Sequence, residues 1–498
     1  MVRRFRSDAL ASVVLASVVQ SGFGTLTRLL PAANSPVWVL AESIGAAIFS
    51  MLSMLVIGRV IGPNDTGIAM VAIAAFLTID VFTASMFSDA LVQRKQLDQR
   101  HAESAATGAV LLGAVTGIGL ATIGPLLAVR SSVPDASWLM LALAPLVPLS
   151  AFSGTASGLY LREQRFRLLA LRLLLGQPIA LTVGLLLAHG GFGPWAVIGS
   201  QIVSTGITFV LMLRGGLGLR PRLDFAALRD LWPIAGPQVA SVVVVAGKYR
   251  IFLLALSAVV APNVLALSHF AFRMLDAALG IVGQTVTRIA MPRLCALQHD
   301  RAAMADTYGD IAQLQALLGL PICVGIALTA PDLVHLLLGP SWAGTAEAAR
   351  VVAAAAAFTF LYGGHSALFV ALGKASRNFY VGVVSLALPL IALAVFQPQT
   401  PEAVAWSWAL PSLVLPPTMT WLVLRELHRS PWWLARKIAP GVLAAGAMAI
   451  AVLAVQSGRI GLPSLPRLVV SVIVGGMVFG SFAWLALRGR MPRALGAA

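Results

Sequence analysis

Fourteen apolar runs follow one another between residues 36 and 487, separated by short polar connections. Each run is about as long as the roughly 20 residues that a helix needs to cross the hydrocarbon core of a bilayer. Only 11% of the 498 residues are charged, against about 25% in an average soluble domain. Because helices satisfy their own backbone polar groups in lipid, we predict an all-α polytopic membrane protein with about 14 transmembrane helices.

Lysine and arginine are distributed unevenly between alternate connections, which predicts the orientation of the helices. With a cytoplasmic N-terminus, the cytoplasmic connections carry most of the 35 lysine and arginine residues. The opposite connections carry only Arg59, Arg130, Arg350, Arg459 and Arg467. Both termini are therefore predicted to be cytoplasmic. The net charge of +16 reflects this topology rather than nucleic-acid binding, because the basic residues form no patch with interleaved aromatic residues.

Two similar turns indicate an internal repeat. Residues 60–64 (VIGPN) end the first apolar run, and residues 259–263 (VVAPN) end the seventh, about 200 residues later. Asp80 in the second run corresponds to Asp276 in the eighth. We predict two pseudo-symmetric six-helix lobes plus two C-terminal helices. The predicted divisions are a cytoplasmic or interfacial extension (1–33), an N-lobe (34–214), a C-lobe (215–430), and two final helices with a short basic cytoplasmic tail (431–498).

Several short motifs occur in the order known from one transporter family. They are residues 58–67 (GRVIGPNDTG), 90–93 (ALVQ), 162–167 (REQRFR), 291–294 (MPRL) and 338–342 (LGPSW). With them, the chain resembles the Wzx-type polysaccharide flippases of the multidrug, oligosaccharidyl-lipid and polysaccharide flippase superfamily. It departs from the family pattern at residues 248–250 (KYR), where family members often carry Asp, and at 268–270 (SHF), where they often carry Tyr.

The resemblance implies a flippase of the bacterial inner membrane. Such a protein moves polyprenyl-diphosphate-linked oligosaccharide from the cytoplasmic to the periplasmic leaflet by alternating access, for exopolysaccharide, capsule or O-antigen biosynthesis. The implied partners are this lipid-linked oligosaccharide, the phospholipid bilayer and a polysaccharide polymerase or export complex, with no nucleic acid among them. No cofactor is implied, and coupling to a proton or sodium gradient is left open.

Three alternatives remain open. A lipid II flippase and a drug/cation antiporter belong to the same superfamily. A membrane glycosyltransferase or polysaccharide polymerase belongs to a different class and is disfavoured, because the sequence contains no paired carboxylates, metal-ligand cluster, Walker sequence or GxSxG motif. We therefore predict that the protein is not an enzyme. Cys295 and Cys323 have neither zinc-ligand spacing nor the pattern of a disulfide framework.

Basic residues inside the predicted spans are the substrate-binding candidates. An ionisable side chain at the bilayer centre costs about 2.5–3.5 kcal/mol, so such residues usually face a cavity or a partner. We predict that Lys248, Arg250 and Arg273 form a cationic cavity for the diphosphate of the carrier. Lys248 and Arg250 stand about 200° apart on a regular helix, so both can face one cavity only if the helix is bent near Gly247.

Two acidic residues and one histidine are the candidates for ion coupling: Asp80, His269 and Asp276. His269, Arg273 and Asp276 share one helix face, so Arg273 and Asp276 can form an ion pair with no substrate role. Asp80 has a purely structural alternative, a hydrogen bond to a serine or threonine inside a helix, which this stretch could supply from Thr78 or Thr83. No metal site is predicted.

Overall fold

The computed structural model describes residues 32–130, 133–245, 247–362, 364–457, 461 and 463–487. Within these ranges the regular secondary structure is helical and contains no strand, which confirms the all-α fold. Almost all of the predicted extension 1–33 lies outside the described residues. The same holds for the basic C-terminal tail after residue 487.

Long helices joined by short connections make up the described chain. In the first half they are α1 (Val37–Ser85), α2 (Ser88–Gln93), α3 (Gln99–Arg130), α4 (Ala136–Leu143), α5 (Leu146–Arg162), α6 (Phe166–His189) and α7 (Trp195–Arg214). In the second half they are α8 (Phe225–Val245), α9 (Lys248–Ser257), α10 (Pro262–Ala296), α11 (Arg301–Leu337), α12 (Gly344–Phe360), α13 (His365–Ala371), α14 (Ser376–Phe396), α15 (Pro401–Glu426), α16 (Pro431–Gln456) and α17 (Ser464–Ala486). A short 3₁₀ helix, Pro340–Trp342, lies between α11 and α12.

Among the described residues, nine helical segments are long and apolar enough to cross a membrane. Helices α4 and α5, bent by 41° at their junction, make a tenth if they are taken as one span. The chain is therefore a multi-pass membrane protein. Helices α10 and α15 are not among these segments, and the predicted number of 14 spans stays a prediction. So do the predicted domain boundaries.

Helix α1 contains the first two predicted spans. Its 49 residues would extend for about 74 Å if straight, more than twice the roughly 30 Å of a bilayer core. The helix breaks at Gly62, whose φ of 80° and ψ of 173° are not helical. Pro63 follows, and because proline has no N–H to donate it fits at the start of a new helical segment. The predicted turn is thus a sharp break between two helical segments.

The two repeated turns pack against each other. A Cβ atom added at Gly67 would lie 1.8 Å from the carbonyl oxygen of Pro262, the first residue of α10. Only glycine permits this approach of α1 to α10. Nearby, the rings of Phe270 and Trp342 are 4.2 Å apart, and Arg59 Nη1 donates to Leu336 O at 3.1 Å. The two halves are therefore in close contact at the end predicted to be periplasmic.

At the opposite end, α8 joins the second half to the first. Leu231 and Ala235 of α8 are buried in one cluster with Leu91 and Ala102. Polar contacts add to this packing: Asp230 lies 3.3 Å from Arg94 and 3.4 Å from His101. Thus α8 contacts N-lobe helices although the predicted boundary assigns it to the C-lobe.

The helix is interrupted between α8 and α9, next to Gly247, where the sequence allowed a bend. Helix α8 ends at Val245, and Gly247 caps the start of α9. Helix α9 packs against α1 and α14. Helix α8 also contacts α1 and α14, and in addition it packs against α2 and α3. The space between the halves lies beside α9.

Candidate functional site

A cavity of about 500 Å³ lies between the two halves. Helices α1, α6 and α7 form its wall on the side of the first half, and α9 and α10 form the opposite wall. Arg250 and Arg273, two of the three predicted substrate-binding residues, line it together with His269 and Tyr249. The structure thus places two guanidinium groups and one imidazole along a single cavity.

Arg250 connects α9 to α1 across the junction of the two halves. Its Nη1 donates to Leu77 O at 3.2 Å and lies 3.9 Å from Asp80 Oδ2. Its backbone oxygen accepts a hydrogen bond of 3.1 Å from Thr78 Oγ1. About one third of its side chain is exposed. The guanidinium group therefore has a protein carboxylate beside it and free surface towards the cavity.

Asp80 has partners other than the predicted threonines. Ser150 Oγ of α5 donates to Asp80 Oδ1, and Arg250 approaches Oδ2. Thr78 and Thr83 donate to backbone carbonyls, so the proposed threonine hydrogen bonds to this carboxylate are wrong. Threonine hydroxyls inside helices commonly bond to the carbonyl four residues earlier, which removes them as partners for a neighbouring carboxylate.

His269 and Arg273 lie on the same wall of the cavity. The hydroxyl of Tyr249 is 2.7 Å from His269 Nδ1, and the two rings are stacked with centroids 5.9 Å apart. Arg273 Nη2 donates to Ser50 Oγ of α1 at 2.9 Å. Arg273 therefore also forms a polar contact between the halves, and its remaining donors are available to a ligand in the cavity.

Lys248 and Asp276 line a different cavity. It has a volume of about 220 Å³ and lies within the second half, where α12, α14 and α15 complete its lining. The Lys248 Nζ atom is 5.5 Å from the centroid of the Trp408 ring, within cation–π range. The predicted single cationic cavity containing Lys248 is therefore not what the structure shows. Lys248 and Arg250 both follow the break at Gly247 on one regular helix, so their angular separation persists.

The alternative of an ion pair between Arg273 and Asp276 is not found, because no such pair occurs among the ion pairs of the described residues. Three residues apart, the two side chains diverge towards the two cavities on either side of α10. Arg273 reaches Ser50 instead. The helix-face argument identified neighbours in the sequence but could not specify which cavity each side chain enters.

Sequence reasoning did not identify the polar residues of the opposite wall. Ser50, Ser53, Gln177 and Ser200 line the central cavity from α1, α6 and α7. The available signal was modest: Gln177 is an amide within an apolar run, and Ser50 and Ser53 are spaced three residues apart on one helix face. Isolated serines in apolar helices are common enough that this spacing alone did not point to a site.

Comparison with known proteins gives concordant results. A family model described as "Polysaccharide biosynthesis protein" matches residues 56–347, more than half of the chain. The succinoglycan biosynthesis transport protein ExoT of Rhizobium meliloti (strain 1021) is 21% identical over 317 residues. This match covers 61% of the chain and 62% of ExoT, less than two thirds of that protein.

Two solved structures have the same fold. The lipid II flippase MurJ in an inward closed conformation superposes with a TM-score of 0.73 at 12% identity, over 91% of this chain and 99% of that one. An inward-facing multidrug resistance MATE family transporter of the MOP superfamily gives a TM-score of 0.61 at 14% identity, over 77% of this chain and 94% of that one. With the family match, these similarities confirm the relationship that the short motifs indicated. The chain belongs to the polysaccharide biosynthesis protein family.

Proposed function

We propose that this protein is a flippase that moves polyprenyl-diphosphate-linked oligosaccharide from the cytoplasmic to the periplasmic leaflet of a bacterial inner membrane. The supporting observation is that Arg250 and Arg273 line a cavity between the halves of a transporter fold. A diphosphate carries several anionic oxygens, and a guanidinium group binds such oxygens through paired N–H donors. The transported product serves exopolysaccharide, capsule or O-antigen biosynthesis.

The fold supports alternating access as the transport mechanism. The cavity lies at the contact between the halves, and close packing at Gly67 and Pro262 separates it from one end. Contacts of Asp230 and Gln238 in α8 with the first half lie towards the other end. When the contacts at one end break while those at the other end form, the cavity opens to one side at a time. Both termini are cytoplasmic in this scheme.

The exopolysaccharide assignment is preferred within the superfamily because the matching family model is that of polysaccharide biosynthesis proteins and ExoT is a succinoglycan transport protein. A lipid II flippase is the second candidate, since MurJ has the same fold and lipid II is also an anionic diphosphate carrier. A cation antiporter is disfavoured because two arginines line the central cavity. The proposal includes no catalytic activity and no cofactor.

Energy coupling to a proton or sodium gradient is part of the proposal. Asp80 and His269 are the coupling candidates beside the central cavity, and Asp276 is the candidate in the smaller cavity with Lys248. Translocation delivers the carrier to the periplasmic leaflet, where a polysaccharide polymerase or export complex receives it.

The function is tested by reconstituting the full chain in phospholipid vesicles with a fluorescent polyprenyl-diphosphate oligosaccharide and measuring its exposure to a membrane-impermeant quencher. We expect faster translocation than in protein-free vesicles. The Arg273→Gln variant should lose this increase in rate. Lipid II and a cationic dye serve as alternative cargoes. Faster movement of lipid II alone would favour the second candidate, and no movement of either diphosphate lipid would refute the proposal.

A deletion strain provides an independent test in cells. We expect it to lose surface polysaccharide and to accumulate lipid-linked oligosaccharide on the cytoplasmic side. Loss of polysaccharide without this accumulation would indicate a different step.

A further inference from the structure

The two walls of the central cavity differ in charge. Its charged and imidazole groups, Arg250, His269 and Arg273, all belong to the second half. The wall of the first half contributes uncharged polar groups set among apolar side chains. They are Ser50, Ser53, Thr66, Gln177 and Ser200. The cavity therefore has one cationic wall and one neutral wall that can form hydrogen bonds.

The neutral wall retains unused hydrogen-bonding capacity. Gln177 Nε2 donates to Ser204 Oγ at 3.1 Å, while its amide oxygen has no partner among the described residues. Ser53 Oγ forms no hydrogen bond within the described part of the chain, although the side chain is half-buried. Ser200 Oγ donates to Val197 O at 2.8 Å and keeps its acceptor lone pairs. These groups match a ligand rich in hydroxyls, because each hydroxyl both donates and accepts.

The cationic wall suits a different part of the same ligand. Arg273 uses one nitrogen to bond Ser50, and Arg250 uses one to bond Leu77 O, so each guanidinium keeps further N–H donors. Phosphate oxygens gain more from these donors than neutral hydroxyls do, because phosphate also carries the charge opposite to that of the guanidinium groups. A diphosphate on the serine and glutamine wall would be desolvated without a counter-charge.

We infer that the cavity binds its carrier in one orientation, with the diphosphate on Arg250 and Arg273 and the adjoining sugar on Ser53, Gln177 and Ser200. This inference rests on the proposed function and assigns sugar recognition to the first half. The volume of about 500 Å³ falls within the roughly 300–1,000 Å³ of sites for drug-sized ligands. It is suited to a diphosphate with its adjacent sugar rather than to a complete oligosaccharide.

Sites that hydrogen-bond the hydroxyls of a ligand discriminate strongly against analogues that lack them, because their polar groups are then left unpaired. The test therefore compares two probes on the purified full-length protein in detergent: a short-chain polyprenyl diphosphate, and the same lipid carrying a single hexose. We expect the wild type to bind the glycosylated lipid about tenfold more tightly, the effect of one or two hydrogen bonds.

Gln177→Leu should reduce this tenfold preference to about twofold or less while affinity for the sugar-free lipid stays within about twofold. Gln201→Leu is the matched control. Gln201 also donates its amide to a hydroxyl, that of Thr205 at 3.1 Å, but lies outside the cavity lining. Ser53→Ala and Ser200→Ala give a second readout if Gln177→Leu fails to fold, and Arg273→Gln should weaken both lipids to a similar extent.

The outcomes separate the inference from the proposed function. If neither lipid binds the wild type, the proposed function fails. If both bind equally well, or if the preference survives in Gln177→Leu and in both serine variants, the assigned orientation is wrong and the flippase proposal stands.

Discussion

Lys248 and Arg250, two residues apart on α9, face different cavities. Arg250 lines the space between the halves, whereas Lys248 lies 5.5 Å from the Trp408 ring in a smaller cavity within the second half. The ammonium of Lys248 is therefore not among the groups that line the cavity of Arg250 and Arg273. The proposed diphosphate site therefore contains two of the three basic residues of this region, and Lys248 has a separate role.

The first prediction distinguishes these cations. Arg273→Gln and Arg250→Gln should each weaken the binding of a polyprenyl diphosphate about tenfold or more, because each loses charge-assisted hydrogen bonds worth about 1.5–3 kcal/mol. Lys248→Gln, the matched control, should change the affinity less than about twofold. The measurement is titration of each purified variant in detergent. An effect of Lys248→Gln as large as that of Arg273→Gln would contradict the assignment of the two cavities.

The second prediction concerns the carboxylate beside Arg250. Asp80→Asn removes a negative charge 3.9 Å from the guanidinium but keeps an acceptor for Ser150. We expect this variant to bind polyprenyl diphosphate a few-fold more tightly, since a partly exposed ion pair contributes about 0.2–1 kcal/mol. The same titration measures it.

Asp89→Asn is the control for this charge change. Asp89 accepts a 2.5 Å hydrogen bond from Gln238, also between the two halves, but it lies outside the central cavity. The affinity of the Asp89→Asn variant for polyprenyl diphosphate should match that of the wild type. Equal effects of the two substitutions would show that Asp80 does not compete for Arg250.

Much of the architecture could be predicted because it depends on local patterns. Apolar runs of membrane length become helices, and Pro63 and Pro262 each begin a helical segment where the repeated turns were recognised. The divergence of Lys248 and Arg250 also follows from helical geometry, which allowed only one of them in the cavity without a bend. The break at Gly247 precedes both residues and so leaves their separation unchanged.

The partners of the charged residues could not be predicted, because they come from distant parts of the sequence. Asp80 contacts Ser150, and Arg273 contacts Ser50. Such pairs depend on how helices cross, which the periodicity of one helix does not contain. The three-residue spacing of Arg273 and Asp276 on one helix suggested a pair between them instead. For the same reason, Gln177 was not recognised as part of the cavity.

The third prediction tests the contact between the repeated turns. Gly67→Ala would place a Cβ atom 1.8 Å from Pro262 O, and because the obstacle is backbone it cannot move aside by a rotamer change. We expect the two halves of this variant to close incompletely at the end predicted to be periplasmic. A cysteine at Met54, in a background without Cys295 and Cys323, should then react several-fold faster with an impermeant periplasmic thiol reagent.

Gly119→Ala is the control for this experiment, since an added Cβ there meets nothing within 4 Å. Its labelling rate should equal that of the parent. Unchanged labelling in Gly67→Ala would mean that the contact does not control access to the cavity.

The fourth prediction concerns orientation. A phosphatase that is active only in the periplasm should be active when fused after Gly339, between α11 and the 3₁₀ helix, and inactive when fused after Arg165, between α5 and α6. The reason is the uneven distribution of basic residues, which cytoplasmic connections retain. Enzyme activity in intact cells, normalised to protein amount, measures it. The opposite pattern would mean that the whole chain has the reverse orientation in the membrane.

The fifth prediction concerns the attachment of the last two helices. Arg467 of α17 forms a two-point ion pair with Asp332 of α11, and Gln456 of α16 donates to the same carboxylate at 3.0 Å. Asp332 is almost completely buried, but 29% of the Arg467 side chain is exposed, so the effect of breaking a buried pair must be reduced for solvent screening.

We expect Asp332→Asn to lower the free energy of unfolding by about 1–3 kcal/mol and the apparent Tm in detergent by several degrees. Glu347→Gln is the matched control, because it breaks an exposed pair with Arg350 at 2.9 Å, where the loss should stay below about 1 kcal/mol. If both variants unfold at the same temperature, the ion pair does not hold α16 and α17 against α11. Packing of their apolar faces would then account for the attachment.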